Sequence, residues 1–386
     1  MGDPKKPAVL QVIPSLAAGG AERSAVEVAA AVAAAGGKSL VVSEGGRLVA
    51  EVEASGARHV VMPVATKNPL KGIANGFVLA KLAKAEGVDV LHVRSRAPAF
   101  SVWLASVLTG IPWVATYHGI YKAKSGLKRW YNRVMTRGAL VIANSTFTRD
   151  HLVKNLGVDP AHVVTINRGV DLDRFDPQRV GPERVEALRR AWSVDADDPR
   201  TRILLAGRLT PIKGQLVLVQ AAVQLRARGR RDFLILLVGD DQGRSAYRAE
   251  VEAAVAGLED AVRVLGHCDD MPAAYLLADV VAVPSVVPES FGRTAVEPQA
   301  MGRPVIASDL GGLIETTVPG ETGWRAPAGD PDAWASALEA ALDAGPEGRA
   351  AMGRRGQARV RELYSARAMT DATLEAYSRV IAARRA

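Results

Sequence analysis

The sequence predicts an α/β protein made of two doubly wound domains, each with a parallel sheet that is covered by helices on both faces. Short apolar runs alternate with helical patterns over residues 8–143, and a second alternation starts at Arg202. A turn-rich, charged stretch over residues 170–199 separates the two. Apolar strands that alternate with helices are typical of buried parallel sheets. The length of 386 residues is also more than one ordinary core holds.

The apolar runs predict the order of the strands. Those of the first domain are Ala8–Leu16, Ser39–Val42, His59–Met62, Val88–Val93, Trp113–Tyr117 and Leu140–Ala143. Those of the second are residues 202–207, Phe233–Val238, Val262–Leu265, Val280–Val283 and Val305–Ala307. We therefore expect domains over residues 1–175 and 200–365. A C-terminal helix over residues 366–386 is expected to pack back on the first domain.

Composition limits the class of protein. The chain is 48% apolar and 23% charged, which is typical of soluble globular proteins. The most apolar stretch, Val102–Ala115, is too short to span a membrane. No secretory signal pattern is recognisable and there is one cysteine, so we expect a cytoplasmic protein. The net charge of +8 would attract anionic ligands, nucleic acid or an anionic membrane, unless it is spread without function.

Two cations at a strand–helix corner form the first candidate site. Arg208 follows a predicted strand within Gly207-Arg208, and Lys213 precedes Gly214 at the start of a helix. Arginine grips phosphate oxygens with a planar fork, and lysine adds a compact charge. The helix N-terminus also favours an anion. Solvated surface cations are the alternative for this pair.

Two glutamates eight residues apart form the second candidate site. Glu289 lies in a loop after a predicted strand, and Glu297 lies one turn inside the following helix. They suit a clamp for hydroxyl groups, a general acid and base, or solvated loop charges. The backbone N–H groups of Ser290, Phe291 and Gly292 are predicted to form an anion seat at the helix start. Cations and carboxylates together suggest a ligand with a charged end and a hydroxyl-rich end, such as a nucleotide-sugar.

Further candidates follow strands of the first domain. Gly19-Gly20 follows the first strand, and His118-Gly119 follows the fifth. Arg94 and Arg96 follow the fourth strand, where they suit either an acceptor or a solvated corner. Ligands of open α/β sheets bind beyond the carboxyl ends of strands. Two domains that face each other would place all these loops across one cleft.

The segment Lys122–Arg137 combines basic and apolar residues at helical spacing. Its basic residues include Lys122, Lys124, Lys128 and Arg129, and its apolar residues are Leu127, Trp130, Tyr131, Val134 and Met135. This composition suits a helix at an anionic membrane surface, or an ordinary helix whose apolar face packs in the core. Asp171-Leu-Asp173 has the form of a metal-binding pair, but aspartate at a turn is ordinarily a local cap. We expect no metal.

In their joint order these motifs resemble the retaining family 4 glycosyltransferases, which have the two-domain GT-B fold. The resemblance extends to Asn144-Ser145, to residues 167–171 and to residues 302–309 and 320–323. It implies that amides near Gly19 and Gly20 contact the donor phosphates and that His118 lies beside the transferring sugar. It also implies the diphosphate as ligand of Arg208 and Lys213, and the donor sugar as ligand of Glu289. The ribose is implied for Glu297.

The resemblance implies transfer of a hexose, with retention, from a UDP- or GDP-sugar to a hydroxyl of a glycan or lipid-linked acceptor. Cell-surface polysaccharide or lipopolysaccharide synthesis, at the inner face of the membrane, is the expected setting. No cofactor and no nucleic-acid partner are expected. A sugar-nucleotide epimerase of similar build and a basic nucleic-acid-binding protein are the alternatives. The sequence departs from the family pattern at residues 239–243, at Arg293 and at Arg168.

Overall fold

The chain forms two compact units. The structure is a computed structural model that describes residues 6–17, 19–120, 126–243 and 245–385, with the backbone alone for residues 127–130 and 385. The residues up to Gly169, together with the C-terminal helix, form the first domain. The second domain is Val170–Ser365. The prediction of two Rossmann-like α/β domains is confirmed.

The first domain is built on a seven-stranded parallel sheet. Its strands are β1 (Ala8–Val12), β2 (Lys38–Ser43), β3 (Arg58–Val61), β4 (Val90–Val93), β5 (Trp113–Tyr117), β6 (Leu140–Ala143) and β7 (Val163–Thr165). Their order in the sheet is β3-β2-β1-β4-β5-β6-β7. The intervening helices are α1 (Gly20–Ala34), α2 (Val49–Ala54), α3 (Pro69–Ala85), α4 (Arg96–Thr109), α5 (Gly126–Arg133) and α6 (Thr146–Asp150).

The second domain is built on a six-stranded parallel sheet. Its strands are β8 (Thr201–Ala206), β9 (Phe233–Val238), β10 (Val262–Leu265), β11 (Val280–Val283), β12 (Val305–Ser308) and β13 (Gly323–Ala326), in the order β10-β9-β8-β11-β12-β13. Its helices are α7 (Pro182–Ala191), α8 (Gln215–Ala227), α9 (Ser245–Val255), α10 (Met271–Leu277), α11 (Arg293–Ala300), α12 (Leu313–Thr316), α13 (Pro331–Asp343) and α14 (Gly345–Leu363). The central strands β9 and β11 are wholly apolar, and β8 is apolar after Thr201 and Arg202, as burial on both faces requires.

The boundary between the domains differs from the expected one, because residues 170–199 belong to the second domain. Val170, Phe175, Trp192 and Val194 are buried in a core cluster that also includes residues of β8, β9 and β11. These apolar residues are separated by turns, so no periodic pattern marks them in the sequence. Burial of their side chains fixes this stretch to the second core.

The last helix, α15 (Ala366–Arg385), packs on the sheet of the first domain. Its Tyr377 is buried against β4, and its hydroxyl lies 2.5 Å from Nδ1 of His92. Burial raises the pKa of Tyr377 to about 12, and the nearby charge of Arg94 acts against this shift. On the other side of the ring, Nε2 of His92 lies 2.7 Å from the hydroxyl of Thr116, so both ring nitrogens of His92 have a hydroxyl partner. This buried chain of hydrogen bonds ties α15 to β4 and β5.

None of the helices among the described residues combines the length and the apolar character needed to cross a bilayer.

Replacement of Tyr377 by phenylalanine should destabilise the first domain by about 1–3 kcal/mol, because His92 loses a buried partner. Chemical denaturation followed by hydrogen exchange of first-domain amides measures the effect. Ser378→Ala is the matched control, since this exposed hydroxyl bonds only to the carbonyl of Leu374 in its own helix. Equal stability of Tyr377→Phe and wild type would contradict the importance of this network.

Candidate active site

Both sheets reverse their strand order beside the predicted motifs. In the first sheet the order reverses between β1 and β4, and in the second it reverses between β8 and β11. Gly19-Gly20 follows β1, Arg208 follows β8, and Glu289 follows β11. The crevice at such a reversal is where ligands bind in doubly wound sheets. The predicted residues therefore lie at the ligand-binding edge of each domain.

The loop after β8 is shaped by close backbone contacts. A methyl group on Gly214 would lie 1.9 Å from the carbonyl oxygen of Pro284, and Gly214 has a left-handed φ of +73°. A methyl group on Gly239 would lie 1.9 Å from the carbonyl oxygen of Gly207. Only glycine fits these two positions without movement of the backbone. They hold the loop that carries Arg208 and Lys213 against the loops after β9 and β11.

The two predicted cations differ in their surroundings. The Arg208 side chain is exposed and makes no hydrogen bond or ion pair within the described part of the chain. Nζ of Lys213 lies 2.7 Å from Oε1 of Glu289, and each of these side chains is 18% exposed. The hydroxyl of the buried Ser285 donates to the same Oε1 atom. The residue predicted for a phosphate and the one predicted for a sugar thus form one ion pair.

A glycine pair supports the loop that carries Glu289. The backbone N–H of Gly312 donates to the carbonyl oxygen of Glu289 at 2.7 Å. A methyl group on Gly311 would come within 2.6 Å of that same oxygen. Side chains at these positions would displace the loop, so Gly311 and Gly312 position Glu289 from the edge of β12. Sequence reasoning missed them, although a glycine pair just after a strand was the available signal.

Phe291 belongs to the core rather than to an open surface. Its side chain is buried and packs edge-on against Tyr364, with ring centroids 5.3 Å apart. A ligand contact by Phe291 would therefore come from its backbone. Gly292 precedes α11 with a left-handed φ of +92°, and its carbonyl accepts from Ala295. Ser290 is half-buried in the same turn.

Both carboxylate oxygens of Glu297 are held by neighbours. Nε of Arg293, one turn earlier on α11, lies 3.0 Å from Oε1. The hydroxyl of Tyr275 donates to Oε2 at 3.2 Å. Burial and the Glu297 charge raise the pKa of Tyr275 well above its usual value, so Tyr275 stays a donor. Arg293, which departs from the family pattern, therefore orients this carboxylate.

In the first domain the N-terminus of α1 is capped only by glycine. The backbone of Gly19 is extended, and no side chain caps this end of the helix with a hydrogen bond. A methyl group on Gly19 would lie 2.1 Å from a carboxylate oxygen of Glu22, which folds back over this turn. The helix N-terminus favours an anion there. A phosphate at Gly19 and Gly20 would meet Glu22, so this side chain must turn away.

His118 is paired with Arg168. Nη2 of Arg168 lies 2.7 Å from Nδ1 of His118. Burial, with the charges of Arg168 and Arg94, holds the pKa of His118 well below its usual value, so the ring is neutral. Because arginine only donates, Nδ1 accepts, and the proton of His118 is on Nε2. The ring is therefore a hydrogen-bond donor at Nε2.

The structure gives other surroundings to several residues expected on the acceptor side. Arg94 is only 3% exposed, and its Nε donates to Oε1 of Gln11 on β1 at 2.5 Å, so it is bonded inside the first domain. Arg96 is half-buried and donates to Oδ1 of Asn132 at 2.9 Å. Lys122 and Lys124 lie outside the described residues.

The basic segment is described only from Gly126 onward. Val134 and Met135 are buried in the core of the first domain, and the Tyr131 hydroxyl donates to the carbonyl of Arg96 at 3.0 Å. These apolar residues therefore pack inward. At Asp171-Leu-Asp173, which was expected to be a turn cap rather than a metal site, the Asp171 carboxylate accepts from the backbone N–H groups of Asp173 and Arg174. It acts as a local cap of this turn.

Replacement of Gly214 by alanine should destabilise the second domain more than replacement of Gly229. Both glycines have a left-handed φ, but a methyl group on Gly229 has nothing within 4 Å. The shared cost of the left-handed backbone is about 1–2 kcal/mol. The clash with Pro284 should add about 1–3 kcal/mol at Gly214 alone. Equal losses in chemical denaturation would show that the close approach is relieved without cost.

Family models match both domains. Residues 18–174 match the model of Glycosyltransferase Family 4, and residues 200–344 match that of Glycosyl transferases group 1. A D-inositol 3-phosphate glycosyltransferase of Salinispora tropica is 32% identical over 347 residues, which cover 83% of this chain and 71% of that protein.

Solved structures agree. A glycosyltransferase from Rickettsia africae is 33% identical, with a TM-score of 0.90 over 98% of this chain and 99% of that one. HepE from Anabaena, in complex with UDP and glucose, is 24% identical, with a TM-score of 0.83 over 96% and 99% of the two chains, and shows likeness of fold alone. The matched families support glycosyl transfer rather than epimerisation or nucleic-acid binding. The chain belongs to the family 4 glycosyltransferases and has the GT-B fold.

Proposed function

We propose that this glycosyltransferase moves a hexose from a UDP- or GDP-sugar to a hydroxyl of a glycan or lipid-linked acceptor, with retention of configuration. The observation that carries the proposal is the Lys213–Glu289 pair beside the exposed Arg208, at the strand-order reversal of the second sheet. It sets a cation for phosphate in contact with a carboxylate for sugar hydroxyls. A nucleotide-sugar has these two kinds of group next to each other.

The leaving diphosphate gains negative charge as the glycosidic bond breaks. Arg208 and Lys213 are fixed cations that stabilise this charge, and electrostatic stabilisation of this kind is a large catalytic term. In the first domain, the amides of Gly19 and Gly20 take the same role for the phosphates. With these groups the enzyme needs no divalent metal. Retention follows a front-face course, in which the leaving phosphate accepts the proton of the acceptor hydroxyl.

The two carboxylates bind different parts of the donor. Glu289 accepts hydrogen bonds from hydroxyls of the sugar, and Lys213 keeps its charge from repelling the diphosphate. Glu297 accepts from the ribose through lone pairs that Arg293 and Tyr275 leave open, since a carboxylate offers about four. In the first domain, His118 donates from Nε2 to an oxygen of the transferred sugar.

The acceptor has two candidate classes. A lipid-linked glycan in lipopolysaccharide or polysaccharide synthesis would place the enzyme at the inner face of the membrane. The relative from Salinispora tropica is named for D-inositol 3-phosphate, a phosphorylated polyol. The Arg168–His118 pair puts a cation beside the residue assigned to the sugar, which favours an acceptor that carries phosphate.

The proposal is tested with UDP- and GDP-hexoses, each incubated with a lipid-linked glycan or with inositol phosphate in the presence of EDTA. We expect one donor to be consumed only when its acceptor is present, and the anomeric configuration of the product to match that of the donor. Donor consumption that requires added Mg²⁺ or Mn²⁺ would overturn metal independence. An inverted product would overturn the front-face course.

Replacement of Arg208 by alanine should weaken binding of the nucleoside diphosphate by about 1.5–3 kcal/mol, which is the range for hydrogen bonds to charged groups. Binding of the nucleoside should hardly change, since Arg208 is assigned to phosphate. Isothermal calorimetry with UDP, GDP and the two nucleosides measures both. Arg354→Ala, another exposed arginine of the second domain, is the control. Equal diphosphate affinity of Arg208→Ala and wild type would refute the assignment.

Variants of the two glutamates should have different effects on nucleotide binding and on transfer. Glu297→Gln should weaken nucleotide binding, because it is assigned to the ribose. Glu289→Gln should leave nucleotide affinity unchanged or raise it, since Lys213 loses its internal partner, while transfer falls sharply. Calorimetry combined with steady-state transfer rates distinguishes the two roles. A Glu297→Gln variant with wild-type nucleotide affinity would remove the ribose assignment.

A further inference from the structure

The helix α3 is apolar on its outer face as well as on its inner face. Its inner residues include Leu79 and Ala83, which are buried in the core of the first domain. On the outer side Leu70 is 77% exposed, Phe77 is 56% exposed and Val78 is 52% exposed. Ile73 is exposed between them. A helix that is apolar all round is normally buried in protein or lipid, and this one is not covered within its own domain.

The packing of α3 fixes which side faces outward. Gly72 lies against Phe100, and Gly76 lies so close to Leu104 that a methyl group there would come within 2.7 Å of its side chain. Both contacts are with α4, so α3 and α4 lie side by side and run in the same direction. Leu70, Ile73 and Phe77 are spaced by three and four residues and share the face away from α4. This stripe is therefore a fixed surface of the folded domain.

The charged residues of α3 itself are all lysines, while Glu44 lies beside the preceding loop and Glu86 forms the C-cap. Lys67 precedes α3, and Lys71, Lys81 and Lys84 lie on it; all four are exposed. The sequence has no aspartate or glutamate between Glu53 and Glu86. Lysines beside exposed leucine, isoleucine and phenylalanine are the composition of helices that lie in the interface of an anionic bilayer.

We propose that α3 docks the first domain on an anionic membrane surface, with Leu70, Ile73 and Phe77 inserted among the lipids and the lysines on the headgroups. The proposed function implies association with a membrane, and α3 would be the surface that makes the contact. The docking rests on that function only for the biological reason to bind a membrane. α3 has 17 residues, so the docked helix is about 25 Å long. It replaces the basic segment Lys122–Arg137 as the docking surface, because the apolar residues described there pack inward.

The test is co-sedimentation of the full chain with two kinds of liposome. One contains phosphatidylcholine alone, and the other also contains about 30 mol% phosphatidylglycerol, which makes the surface anionic. We expect binding to the anionic liposomes that weakens as salt rises. Leu70→Gln/Ile73→Gln/Phe77→Gln should lower partitioning by roughly ten-fold or more. Lys71→Gln/Lys81→Gln/Lys84→Gln should also lower it, since each lysine contributes about five-fold at low salt.

Controls separate this surface from general effects. Val223→Gln/Ile314→Gln replaces exposed apolar residues of the second domain and should leave binding unchanged. A variant with Lys122, Lys124, Lys128 and Arg129 changed to serine should keep at least half of the binding. Its complete loss, with binding by the α3 variants intact, would overturn the proposal in favour of the basic segment.

Two further outcomes would also overturn it. Binding that ignores lipid charge would remove the role of the lysines. Self-association in sedimentation velocity that the α3 apolar variant abolishes, without liposome binding by the wild type, would identify a second copy of the chain as the occupant. Nucleotide affinity should be the same in all these variants. Failure of the wild type to bind any nucleotide would count against the proposed function and leave the docking result to stand alone.

Discussion

One ion pair sets the charge of the candidate donor site. Lys213 arrives from the loop after β8, and Glu289 arrives from the loop after β11, so their 2.7 Å contact joins the two strands at which the sheet reverses its order. The hydroxyl of Ser285 donates to the same carboxylate oxygen. An unpaired carboxylate here would repel a diphosphate. Lys213 offsets this charge before any ligand arrives.

The backbone around this pair is kept close by residues without side chains. Gly214 brings the Lys213 turn against Pro284, and Gly311 and Gly312 bring the loop after β12 against Glu289. Each contact places a carbonyl or amide where a methyl group would stand. The geometry of the candidate donor site thus depends on the loops after β8, β11 and β12, which approach within hydrogen-bonding distance. In the first domain, His118 is likewise held by a cation, since Arg168 fixes both the position and the tautomer of the ring.

Much of the fold follows from local sequence, because long apolar strands between helices have few other arrangements. The strands β5, β9 and β11 have the bounds that their apolar runs predict. β7 and β13 were not predicted, because they are three and four residues long and lack a distinct apolar run. The sequence also placed Arg208, Lys213 and Glu289 after strands of one sheet.

Contacts between distant residues could not be predicted in the same way. Lys213 and Glu289 are 76 residues apart, and sequence reasoning gave them separate ligands without their mutual contact. Arg168 was noted only as a departure, and its partner His118 is 50 residues away. Arg94 follows a strand like the other candidates, yet it is buried and bonded to Gln11, which is 83 residues earlier in the chain. The exposed face of α3 was hidden because apolar residues all round a helix normally indicate a core position.

The central claim is that Lys213 screens Glu289 from the diphosphate of the donor. The most direct measurement is the calorimetric affinity for UDP or GDP, whichever binds the wild type, in Lys213→Ala and in Lys213→Ala/Glu289→Gln. The account predicts that the double variant binds the nucleotide more tightly than the single variant, because the unscreened carboxylate is gone. Equal affinity of the two variants, or weaker binding by the double variant, would contradict it.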